Sequence, residues 1–169
     1  MKLIEFFAKL EAFEDAIPLQ CLKEAMCELQ IEHKDIAEPS RFHSEKYQRN
    51  LLIRTPNFEV LLLCFEPKQG TPIHDHSGSA CGVMVIEGTA TEVSYEMTTT
   101  GRLVESGTAD LPAGGVVGSQ DNDIHSLGNT QVGERLITLH VYSPPLGSVG
   151  NYSRQDHSKT LVTAATRDG

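Results

Sequence analysis

Residues 71–88 read TPIHDHSGSACGVMVIEG. Two histidines, His74 and His76, flank Asp75, and a cysteine, Cys81, follows five residues later. In an extended chain residues i and i+2 project to the same face, so both imidazoles aim one way. Two imidazoles on one face are suited to a first-row metal ion. An isolated pair is so short that two surface histidines on a turn is the better reading of it, so its meaning rests on what surrounds it.

Gly70 precedes the pair and Gly88 closes the strand that follows. Farther along stand Pro112 and Gly114 in DLPAGG, then His125 and Asn129 in IHSLGN. The chain is otherwise β-rich from Tyr47 onward: NLLIRT, FEVLLLCFEP, GVMVIEGTATEVSYEM, RLVESGTADLPAGGVVG and ERLITLHVYSPP are strand-like runs separated by Gly, Pro and Asn clusters. Short strands without long helices between them predict an antiparallel barrel or sandwich. Before Tyr47 the pattern is helical. Leu3, Phe6, Phe7, Leu10 and Phe13 recur at threes and fours, and Leu19, Leu22, Ala25, Met26 and Leu29 do so after Pro18. The reading is one domain: helices over 1–46, a β-barrel core over 47–146, and a C-terminal wrap and tail over 147–169, with a weak strand at TLVTAA.

At 169 residues the chain buries roughly two-thirds of its unfolded surface and needs no disulfide to fold. Its net charge of −9 argues against nucleic acid and anionic membranes as partners. Cys21, Cys27, Cys64 and Cys81 form no CxxC pair, and Cys21 and Cys27 are expected as inert thiols on or near a buried helix face. With neither a membrane-length apolar run nor a signal-peptide pattern, the expected setting is cytoplasmic. His33, His43 and His157 have no assigned role and are expected at solvated positions.

The order Gly, HxH, Gly, PxG and HxxxN over residues 70–129 resembles the two signature motifs of the cupin superfamily. The resemblance implies a mainly β, double-stranded β-helix (jelly-roll-like) barrel with an N-terminal helical segment, and His74, His76 and His125 as metal ligands on neighbouring strands. The interval from Gly114 to His125 is longer than usual in that superfamily, so an extended loop is expected there. Many cupins carry a glutamate ligand four or five residues after the HxH pair. Here position 81 is Cys, and the nearest carboxylate in sequence is Glu87. Three neutral imidazoles would leave the full +2 charge for an anionic substrate to meet.

Four stretches narrow the resemblance: YQRN at 47–50, HDHSGSAC at 74–81, IHSLGN at 124–129 and TLHVYSPP at 138–145. Together they resemble the cysteine dioxygenase family, from about Met1 to Arg154. That family oxidises the thiol of free L-cysteine to cysteine sulfinic acid with O2 at a non-haem Fe(II) held by three histidines, and its members are commonly monomeric. The resemblance implies that Arg49 binds the substrate carboxylate, that Tyr47 stands near the substrate, and that Tyr142 assists the oxygen chemistry at sulfur. Alternation in TLHVYSPP puts Thr138, His140 and Tyr142 on one face, where a hydroxyl, an imidazole and a phenol can form a hydrogen-bonded relay.

Two points stay open on sequence alone. Members of the animal type join a cysteine at the position of Cys81 to the active-site tyrosine by a thioether, whereas many bacterial members have glycine. Here either Cys81 is joined to Tyr142, or it is a small buried thiol, with Gly82 in the glycine place after a one-residue shift. Members that prefer 3-mercaptopropionate tend to have glutamine in place of the arginine, and Gln48 adjoins Arg49. The alternatives are a dioxygenase of another small thiol and a metal-holding cupin without turnover.

Overall fold

The computed structural model describes residues 1–120 and 123–163. Helix α1 (Leu3–Glu11) buries Phe6 and Leu10, and the backbone N–H of Lys2 donates to the Glu5 carboxylate at 2.8 Å. Helix α2 (Leu19–Cys27) buries Leu22, Ala25 and Met26, and the carbonyl of Pro18 accepts its first bond, from Leu22 N–H. A single further turn, α3 (His33–Ile36), buries Ile36. Cys21 packs half-buried against the helical core, as expected for a thiol near a buried face, whereas Cys27, at the helix end, is exposed.

Eleven strands follow among the described residues, in two antiparallel sheets. One sheet contains β1 (Gln48–Arg54), β2 (Glu59–Phe65), β9 (Leu136–Ser143), β4 (Ala80–Glu87) and β7 (Val116–Gln120), in that spatial order. The other runs β11 (Lys159–Thr163), β10 (Ser148–Tyr152), β3 (Ile73–His74), β8 (Ile124–Gly128), β5 (Thr89–Met97) and β6 (Leu103–Pro112). The interval from Gly114 to His125, expected as an extended loop, contains β7, whose Val117, Gly118 and Ser119 pair with Val83, Gly82 and Cys81 of β4. Within 147–169, β10 pairs with both β3 and β11, and the remainder of the tail, 164–169, lies outside the described residues. No helix among the described residues is long and apolar enough to cross a membrane.

Strands β2 and β9 are buried along their whole length because the five-stranded sheet is covered on both faces. Leu62, Cys64, Leu139 and Val141 pack outward with Phe6, Leu10, Leu22 and Met26 of the helices. Leu61, Leu63, Val83 and Val85 pack inward with Cys81 and Tyr142. The helices approach closely over a pair of glycines. Gly82 and Gly118 face each other across β4 and β7, and a Cβ at either would meet Met26 Sδ at 2.5 Å or Leu19 Cδ1 at 2.7 Å. The turn from β4 to β5 depends on Gly88, whose φ is +82° and whose Cβ would sit 2.4 Å from the Arg135 carbonyl oxygen. Each strand pair thus sorts odd from even positions: one set meets helices, the other the barrel interior.

Candidate metal centre

Three histidines converge inside the barrel. His74 ends β3 and faces His125 of β8 across one strand pair, while His76 follows β3 in the connection to β4. All three are buried, and one ring nitrogen of each lies within 4.8 Å of the others. The two histidines of the HxH pair therefore share a direction although only the first lies in a strand.

Their outer nitrogens are all engaged. His74 Nδ1 lies 2.9 Å from the Pro72 carbonyl oxygen, His76 Nδ1 lies 3.2 Å from Ser119 Oγ, and His125 Nδ1 lies 2.6 Å from Glu92 Oε1. A carbonyl oxygen can only accept, and so can an ionised carboxylate, so His74 and His125 carry their protons on Nδ1. Their Nε2 atoms are the ones turned to the centre. Nε2 of His76 and Nε2 of His125 stand 3.3 Å apart. With metal–nitrogen bonds of about 2.1 Å, neighbouring donors at a right angle lie about 3 Å apart. The donor set and its spacing fit a divalent transition-metal ion.

Asp75, between the two ligands, points the other way and is fully buried. Its Oδ1 accepts from Gly150 N–H at 2.9 Å and from the N–H and hydroxyl of Ser77 at 3.1 and 3.0 Å. Its Oδ2 accepts from the Tyr152 hydroxyl at 2.7 Å and the Lys159 ammonium at 2.6 Å. The backbone is tied as well, with Asp75 N–H donating to the Gly150 carbonyl at 3.0 Å. Burial pushes this carboxyl up, but the bonds from Lys159, Tyr152, Gly150 and Ser77 outweigh it and hold the group well below the usual carboxylate range. The histidine-bearing segment is thereby fastened to the β10–β11 hairpin. A side chain at Gly150 would collide with this carboxylate, since its Cβ would lie 2.7 Å from Oδ2.

The five-stranded sheet supplies the rest of the interior. Directly opposed residues of antiparallel strands share a face, so the register sorts the side chains into rows. Arg49, Leu63, Thr138 and Val85 form one row; Leu61, His140, Val83 and Val117 the next; Glu59, Tyr142, Cys81 and Ser119 the third. Gln48 pairs with Cys64, whose side chain faces the helices, so it is Arg49 and not Gln48 that belongs to the inner face. The same parity places Cys81 inside, opposite Tyr142, and Gly82 under α2.

Thr138 Oγ1 lies 2.8 Å from His140 Nε2, and His140 Nδ1 lies 3.1 Å from the Tyr142 hydroxyl. Burial, followed by the nearby Arg49 charge, holds His140 well below its ordinary value, so the imidazole is neutral. The neutral ring bridges two hydroxyls, donating through one nitrogen and accepting through the other, and so links Thr138 to Tyr142. Burial, then the Cys81 sulfur, pushes the Tyr142 phenol well above its usual range and keeps it protonated. Tyr142 also lies against His76, with ring centroids 5.6 Å apart. Cys81 is raised far above an ordinary thiol by burial, partly offset by its hydrogen bond to Tyr142. Tyr47 stacks on Phe65 with centroids 5.2 Å apart, on the edge of this inner cluster.

A neutral imidazole relay thus stands beside the three-histidine cluster in a barrel of this topology. The family model described as "Cysteine dioxygenase type I" matches residues 2–155. The chain belongs to that family. Among cysteine dioxygenase relatives, "Cysteine dioxygenase type 1" of Danio rerio is 27% identical over 157 residues, covering 87% of this chain and 76% of its own. The protein of that name from Rattus norvegicus is 24% identical over 128 residues, covering 73% of this chain. The chain spans 64% of that rat relative's length. Among solved structures, TT1209 from Thermus thermophilus superposes with a TM-score of 0.56 at 21% identity, over 68% of this chain and 99% of that one. A Klebsiella pneumoniae protein with a double-stranded β-helix domain gives 0.52 at 19% identity, over 75% and 93%. These structures establish the cupin-type double-stranded β-helix expected from the motifs.

Sequence reading missed three residues of the site in this cysteine dioxygenase family member: Asp75, Glu92 and Ser119. Asp75 was visible as the odd-parity residue of HDH, but apart from Ser77 its partners lie 75 to 84 positions away. Glu92 and Ser119 act on histidines 33 and 43 positions distant, with no local motif to mark them. Of the histidines without a role, His33 is exposed, His43 Nδ1 accepts from Glu45 N–H, and His157 Nδ1 accepts from Leu103 N–H.

Proposed function

We infer that this protein is a thiol dioxygenase that converts L-cysteine and O2 to cysteine sulfinic acid, with Fe(II) held by His74, His76 and His125. The observation that carries the reading is that Arg49 and the Thr138–His140–Tyr142 relay share one inner face, whose Tyr142 lies against His76 of the histidine cluster. A metal-holding cupin without turnover has no use for that relay.

Fe(II), when bound there, stabilises a thiolate at neutral pH and supplies the electron transfer that spin-forbidden chemistry between dioxygen and sulfur requires. The chain's own residues do the positioning. Arg49, buried in the row beside Thr138, offers a guanidinium fork to the substrate carboxylate and so fixes the distance of the thiol from the histidines. Tyr142, protonated and oriented by His140, donates a hydrogen bond to the reacting sulfur or oxygen. Thr138 holds the other nitrogen of the His140 ring. Leu61, Leu63, Val83 and Val85 exclude water from the same chamber. Tyr47, on its edge, closes the substrate side. The opposition of Cys81 and Tyr142 on β4 and β9, with a hydrogen bond between them, supports a thioether like that of animal-type members.

The test is oxygen uptake and sulfinate formation by the Fe(II)-loaded protein, with L-cysteine and 3-mercaptopropionate at equal concentration. Stoichiometric cysteine sulfinate, abolished in His74→Ala, is the expected result. A marked preference for 3-mercaptopropionate would overturn the substrate assignment. Absence of turnover with both thiols, despite bound iron, would overturn the enzymatic one.

A further inference from the structure

The notion of three neutral imidazoles overlooks a charge one bond farther out. Glu92, on β5, lies with its Oε1 2.6 Å from His125 Nδ1, the shortest of the three outer contacts of the ligand set. Its strand neighbours explain how it gets there: β5 pairs with β8, and Ser94 faces His125 across that pair while Glu92 faces Leu127. Glu92 therefore reaches one rung along the strand to meet the ring. Its side chain is 22% exposed and lines a groove that opens to solvent between β5, β7 and β8, together with Glu96, Asp123 and Ser119.

We propose that Glu92 is a positioning residue for the metal, holding His125 with Nε2 inward and enriching that nitrogen as a donor. The inference rests on the three-histidine reading of the centre. A carboxylate accepting from Nδ1–H fixes the tautomer and ring angle, and its negative charge polarises the imidazole toward the metal side. His74 and His76 have weaker outer partners, a carbonyl and a hydroxyl. Glu92 thus gives His125 an anionic outer partner. The carboxylate that many cupins place on the metal itself, and that Cys81 replaces on β4, is here supplied from β5 through a histidine.

The measurement is metal affinity, read without substrate: Co(II) and Fe(II) binding by chelator competition, with the Co(II) visible spectrum as a report of ligand geometry. Glu92→Ala should weaken binding roughly 10- to 100-fold and alter the Co(II) spectrum. Glu92→Gln, whose carbonyl oxygen can still accept from Nδ1–H, should restore the spectrum but only part of the affinity, separating orientation from charge. Glu96→Gln, on the same groove and strand but off the histidine, should bind as the wild type does. Melting temperatures of the metal-free proteins identify any variant that is simply misfolded, and Glu92→Asp then takes its place, with the same expected loss. Wild-type affinity and spectrum in Glu92→Ala, or an equal loss in Glu96→Gln, would overturn the proposal. Because no turnover is read, failure of the dioxygenase assignment would leave these outcomes intact.

Discussion

Replacing Asp75 by asparagine changes one atom of a fully buried side chain and should be among the most damaging conservative substitutions in the molecule. Oδ1 of the amide can still accept from Gly150 and Ser77. The other position becomes an NH2 group facing two donors, the Lys159 ammonium and the Tyr152 hydroxyl. Hydrogen bonds to a charged partner are worth about 1.5–3 kcal/mol each, and breaking a buried ion pair costs about 3–5 kcal/mol. Lys159 is 42% exposed and regains hydration, which argues for the lower half of that range. For a chain of this size about 3–4 kcal/mol lowers the melting temperature by roughly 6–16 °C. Melting by circular dichroism from pH 7 to pH 3 provides the check. The Asp75 carboxyl is held below its unfolded value of about 3.9, so its contribution is complete above that pH and fades as pH falls toward the folded value. The gap between wild type and Asp75→Asn should therefore be widest at neutral pH and narrow below pH 4. A drop under 2 °C at pH 7, or a gap that does not change with pH, would refute the reasoning.

Other expectations follow from the inner face of the five-stranded sheet. Arg49→Ala removes the carboxylate fork and should raise KM for cysteine by about 10- to 100-fold, from the worth of a charge-assisted bond, in steady-state oxygen uptake. Tyr142→Phe keeps the ring against His76 but deletes the donor, so kcat should fall about 10²-fold with metal content unchanged. Peptide mass mapping of aerobically purified protein should find the Cys81 and Tyr142 peptides joined and lighter by two hydrogens; two separate peptides after turnover would show a plain buried thiol.

The extent to which this site was legible in the chain follows from the range of the signals. HDH and IHSLGN marked the histidine cluster because their spacing is local, and TLHVYS marked the relay because strand parity is local too. Strands β3 and β8, two and five residues long, are too short to display a period, and only the motif resemblance put their histidines on neighbouring strands. The Gly114–His125 interval was expected as an extended loop for its length, yet it contains β7, where Gly118 is a strand residue that makes room for α2.

By itself, then, the sequence determined the fold class, the three histidines and the polar face of β9. The tertiary structure decided parity and partnership. It placed Arg49 inward and Gln48 outward, and Cys81 inward and Gly82 under a helix, because each strand is locked in register by the neighbour it meets. It also brought Asp75 to Lys159 and Glu92 to His125. Those contacts come from strand pairings between distant segments, and a carboxylate carries no local mark of the partner that folding will bring to it.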